Sequence, residues 1–101
     1  MNRKLEAKIT WLSELEGGRK EIPFSNKYAP ILKTNNSTAD VYDFWSAFIT
    51  NIILLSENET LAYVKYLSDN APDDLFAGVE FVLYEGSKKV ANGVVLKEVE
   101  G

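Results

Sequence analysis

Gly17-Gly18-Arg19-Lys20 is the stretch whose residue types point most directly to chemistry. A glycine pair lets backbone amides approach a phosphate closely, and two following cations would neutralise its charge. A phosphate loop also needs a Lys-Ser/Thr step and a helix N-terminus. The continuation "GGRKEIPF" supplies neither. Arg19 and Lys20 therefore stand as candidate phosphate or RNA contacts on a turn, with Lys27 and Lys33 in the same region of the chain.

Other clusters are weaker. Glu14, Glu16 and Glu21 crowd a charged turn, whereas paired catalytic carboxylates need burial or facing cleft walls to separate their pKa values. Asp69, Asp73 and Asp74 do not follow the D-x-D-x-D-G spacing of a calcium loop. The chain has no histidine and no cysteine, which removes imidazole bases, histidine triads, thiolate metal sites and disulfides. The expectation is a protein that is not an enzyme, without catalytic residues, metal or cofactor.

The elements that must position these residues read mainly as strands. Leu5, Ala7, Ile9 and Trp11 alternate with Glu6, Lys8 and Thr10, the period of a half-buried strand. The charged turn from Ser13 to Lys20 follows. After a loop carrying Pro23 and Pro30, "YAPILKTN" reads as a short strand and a turn. Residues 38–55 are ambiguous. Val41, Phe44, Phe48, Ile52 and Leu55 sit at helical spacing, but the segment is rich in β-branched and aromatic types, and strand is favoured over helix. "SENET" is a turn, and "LAYVKYL" alternates again. "GVEFVLYEGSKKVANGVVLKEVE" is the clearest hairpin, turning at Glu85-Gly86-Ser87-Lys88. Gly93 in its returning strand marks a bulge or a corner where a side chain would not fit.

Short strands separated by glycine and asparagine turns argue an all-β barrel or sandwich in one domain, residues 1–101. Barrel closure would remove the exposed edges. A net charge of −4 and a pI near 4.8 disfavour a general polyanion binder. The opening "MNRKLEAKITW" alternates rather than forming a leader, and "FITNIILL" is too short to span a bilayer as a helix. The expectation is a cytoplasmic protein with no membrane association. The N-x-S/T matches at Asn36 and Asn58 are read as chance.

Two ordered segments carry a family likeness. "LEAKITWLSELEGGRKEIPFSNKYAPIL" resembles the opening of the C-terminal β-barrel domain of translation elongation factor Tu, and "GVEFVLYEGSKKVANGVVLKEV" resembles its ending. "SENETLAYVKYL" falls where that family has a turn and a strand, and only residues 36–55 match weakly. The resemblance implies a six-stranded antiparallel closed barrel without an active site. It also implies contact with the T-stem side of aminoacyl-tRNA through the family's GGR turn, matched by Gly17, Gly18 and Arg19, and through Glu85 and Gly86. Where the family carries Arg-Pro-Gln, this chain has Ala29, Pro30 and Ile31, so a cation and a polar contact are missing. A Walker-type phosphate loop is lacking, and GTP binding is not expected.

The resulting expectation is a stand-alone, translation-related binding module. Its first partner class is a protein or a second copy, met through an aromatic surface of Tyr42, Trp45 and Phe48. The alternative is weak tRNA or RNA binding through Arg19, Lys20, Glu85 and Gly86.

Overall fold

Alternating side chains build this protein. The computed structural model describes residues 4–24, 27–34, 45–71 and 74–99. They form six strands: β1 Lys4–Trp11, β2 Ile31–Thr34, β3 Trp45–Leu54, β4 Glu59–Tyr66, β5 Glu80–Glu85 and β6 Lys88–Val99, with a single 3₁₀ turn at Glu14–Glu16. The order is β1-β4-β3-β2-β5-β6, and β6 returns to pair with β1. Every pairing is antiparallel. This is a closed six-stranded antiparallel β-barrel. Closure satisfies the edges that an open sheet of this length would leave.

In β1, Leu5, Ala7, Ile9 and Trp11 are buried, and in β4 Thr60, Ala62, Val64 and Tyr66 are. Ala47, Ile49, Leu32, Phe81, Leu83, Val90, Ala91 and Val95 complete the interior. A Cβ at Gly93 would come 2.2 Å from the Phe81 ring, so glycine is what lets that ring fill the barrel. Of the two readings offered for Gly93, close packing is the one observed.

The barrel has two differently closed ends. At one, where β2 and β4 finish and β5 begins, Leu75 is buried at the mouth. Asp74 beside it accepts from Tyr66 at 2.9 Å and from Thr34 at 3.4 Å. At the other, where β1 and β5 finish, Trp11, Ile22 and Tyr28 pack on the core and a buried relay fixes the loop above. Trp11 Nε1 donates to Thr60 Oγ1 at 2.9 Å, Thr60 donates to Asn51 Oδ1 at 2.6 Å, and Asn51 Nδ2 donates to the Pro23 carbonyl at 2.5 Å. Each polar atom in that relay has a partner, which is how a barrel interior holds an asparagine at low cost.

The strand preference for residues 38–55 holds where the structure describes it, in β3. The stretch before Trp45, with Tyr42 and Phe44, lies outside the described residues. No helix among the described residues is long and apolar enough to cross a membrane.

Candidate functional site

The turn after β1 is built from within. Ser13 caps the 3₁₀ turn, its hydroxyl accepting from the Glu16 amide while the Glu16 carboxylate accepts from the Ser13 amide. That hydrogen bond from the backbone amide holds the Glu16 carboxyl below its ordinary value. Gly17 ends the turn at φ 88°, a left-handed conformation suited to glycine, and a Cβ at Gly18 would come 2.1 Å from the Leu12 carbonyl oxygen. The Gly17 amide donates to the Glu14 carbonyl at 3.1 Å and the Gly18 amide to the Ser13 carbonyl at 2.8 Å. Both amides of the glycine pair are thus used inside the turn. A phosphate here would find no amide cradle.

Arg19 and Glu85 are 66 residues apart, and the fold brings them together at the mouth above Trp11. The Arg19 guanidinium donates to the Glu85 carboxylate, and its Nε donates to the Glu21 carbonyl at 3.0 Å. Tyr28 completes the corner. Its hydroxyl donates to Glu85 Oε2 at 2.6 Å, its ring lies 5.0 Å under the guanidinium, and that ring packs 5.9 Å from Trp11. Burial alone would raise the Glu85 carboxyl, but the hydrogen bonds from Tyr28 and Arg19 together outweigh it and bring the group below its ordinary value. Burial, reinforced by the bond to Glu85, pushes the Tyr28 phenol well above its usual range. Burial pulls Arg19 down and Glu85 more than restores it.

Of the other candidate RNA contacts, Lys20 is exposed and Gly86 sits at φ 64° in the β5–β6 turn. A shallow cavity of about 260 Å³ adjoins Arg19 and Lys20, and Glu14, Glu21 and Glu57 also line it. Three carboxylates against two cations, one of them already bonded to Glu85, is a poor setting for a polyanion.

The candidate protein surface is divided. Trp45 shares the inward parity of Ala47 and Ile49 and packs partly buried on the core, while Phe48 points outward and is exposed. Trp45 and Phe48 therefore do not share a face, because residues three apart in a strand lie on opposite sides. Tyr42 lies outside the described residues.

The sequence reading placed a partner surface on residues 40–53 and named Phe48, but not the aliphatic residues that extend it. β3 carries a bulge at which Asn51 pairs with Ala62 and Ile53 with Leu61, leaving Ile52 extra. Ile52 and Ile53 are both exposed, and so are Leu54 and Leu55 as the chain leaves the strand. Ile52 and Ile53 join Phe48 on the outer face, with Tyr63 and Leu61 half-buried beside them on β4, whereas Leu54 pairs with the buried Thr60 and takes the inward parity at the barrel mouth. The available signal was the run "NIILL" abutting a turn. A two-residue period can bury only half of such a run. Among the described residues no group of histidine, cysteine, aspartate and glutamate could hold a metal ion. No protein-family model matches the chain.

Proposed function

We propose that this chain is a non-catalytic binding module, resembling the C-terminal barrel of elongation factor Tu, that engages a protein partner through the outer face of β3 and β4. The observation that carries this reading is the exposure of Phe48, Ile52 and Ile53 on one face, continued by Leu55 where the strand ends. Soluble surfaces scatter single apolar residues, but a contiguous group rimmed by charge marks an interaction site. The test places a photo-crosslinking residue at Phe48 or Ile53 and, as control, at the exposed Leu96 of β6. Discrete adducts from positions 48 and 53 but not 96 are expected. No adduct at any position, or equal labelling at all three, would remove the reading.

A second reading is RNA binding. What favours it is the convergence of Arg19 and Glu85, the pair through which the resemblance implies tRNA contact. Against it, the guanidinium is engaged by Glu85 and the Glu21 carbonyl. A mobility shift with mixed tRNA at low salt should show no complex. A complex that weakens steeply with salt and is lost in Arg19→Ala would favour RNA instead.

A further inference from the structure

We infer that the occupant of the β3–β4 face is a second copy of this chain, packed across a two-fold axis at the Ile52–Ile53 bulge. The inference rests on the partner-binding reading and commits it to one partner. Its first support is the charge at the two ends of the strip, since of the β1 residues between them Glu6, opposite Tyr63, faces Lys97 at 3.8 Å and Lys8, opposite Leu61, faces Glu59. At the Phe48 end, Lys65 pairs directly across from Phe48, and Lys4 holds its ammonium 4.1 Å over the Tyr63 ring. At the other end the chain runs from Leu55 into Glu57 and Glu59. Lys8 engages Glu59 at 3.0 Å, so Glu57, which is exposed, is the carboxylate presented at the hairpin tip. A two-fold axis normal to β3 reverses the strip in the partner. The basic end of each copy then meets the acidic end of the other, twice, as an isologous interface requires.

The second support is a shape. Phe48, Thr50 and Tyr63 line an outer depression of about 290 Å³ together with Lys4 and Lys65. Two aromatic rings beside two ammonium groups suit an apolar side chain with a carboxylate close behind it. The β3–β4 tip has that sequence: Leu55, 51% exposed, then Ser56 and Glu57. Each tip would seat a leucine in the partner's depression and place Glu57 by the partner's Lys65. The bulge isoleucines would meet near the axis.

Sedimentation equilibrium on the full chain, from about 1 µM to about 1 mM, tests this. A monomer–dimer equilibrium is expected. Ile53→Lys should abolish it. Lys65→Glu and Glu57→Lys should each weaken it about tenfold or more, by setting like charges opposite. The two single charge variants mixed together should form a heterodimer, because both contacts are then opposite in sign. Thermal melts monitored by circular dichroism establish that each variant folds. A monomer throughout the range overturns the proposal, as does a dimer indifferent to all three substitutions. If the wild type is monomeric yet crosslinks a different protein from positions 48 and 53, the homodimer fails while the partner reading stands. If neither association nor crosslink is seen, both fall.

Discussion

The corner at the barrel mouth and the outer strip of β3 are opposites. At the corner, Arg19, Tyr28 and Glu85 are polar groups that answer one another, and beneath them Trp11, Thr60 and Asn51 pass hydrogen bonds on to the Pro23 carbonyl of the covering loop. On the strip, Phe48, Ile52, Ile53 and Leu55 are apolar and exposed. Chemistry-bearing residue types drew attention to the first region, yet their mutual bonding makes it a clasp. Ordinary aliphatic residues make up the second, and their failure to be buried is the feature on which the proposed partner rests. Residue type is a weaker guide to a site than whether its bonding or burial is already complete.

If the corner and its relay are structural, breaking them should cost stability. The largest effect is expected at Asn51. Asn51→Ala leaves the Pro23 carbonyl without its donor and the Thr60 hydroxyl without its acceptor in a buried site, a loss of about 2–4 kcal/mol in urea unfolding. A cost below about 0.5 kcal/mol would mean that the relay does not hold the mouth. Next is the clasp itself. Arg19 and Glu85 side chains are 31% and 32% exposed, so solvent screens them. A double-mutant cycle with Arg19→Ala and Glu85→Ala should give a coupling of about 1 kcal/mol. Zero coupling would leave the guanidinium available for another ligand and would reopen the RNA reading.

The same corner should shape the pH dependence. The folded-state pKa of Glu85 lies below its ordinary 4.5, so its contribution is present above that value and is lost as pH falls through the folded one. Glu85→Gln should flatten this acid limb. The folded-state pKa of Tyr28 is raised, so its contribution is complete below the ordinary tyrosine value near 10 and is lost as pH rises through the folded value. Tyrosinate absorbance should show a phenol that ionises only with unfolding, and Tyr28→Phe should lower the number of such late-ionising phenols by one.

The strands were legible because alternation is a local signal, whereas their closure into a six-stranded barrel was an expectation from the resemblance. Leu5, Ala7, Ile9 and Trp11 show the same period in sequence and in burial. The Glu85–Lys88 turn is set by a glycine that accepts positive φ. Gly93 was readable as a close approach, though the Phe81 ring that it meets lies twelve residues away and across a strand pair. The site was less legible, for two physical reasons. Arg19 meets Glu85 and Tyr28 only after closure joins β1 to β6 and β2 to β5, and no spacing encodes that encounter. The strip depends on the bulge at Ile52, which shifts the register and leaves Ile52 and Ile53 both exposed opposite Leu61. Strict alternation would have put one of the two inside. Trp45 shows the converse. Its size suggested a surface anchor, but its parity with Ala47 places it on the core.

The smallest expected change in stability is the one that most sharpens the contrast. Ile53 is 55% exposed, so Ile53→Lys removes little burial and breaks no hydrogen bond. Its unfolding free energy, measured on dilute monomer, should stay within about 0.5 kcal/mol of the wild type, against the several-fold larger loss at Asn51. A lysine stem can still lie along Leu61 while its ammonium reaches water. At higher protein concentration the comparison should change sign. The wild type gains apparent stability from any association on this face, because binding to the folded state alone raises the melting point by mass action, and the lysine variant does not. A melting point that rises with concentration in the wild type and stays flat in Ile53→Lys would separate a residue retained for contact from one retained for folding. Two flat lines would assign the strip no role in self-association. A variant that unfolds at every concentration would show that Ile53 belongs to the core architecture after all, and would collapse the distinction between clasp and strip.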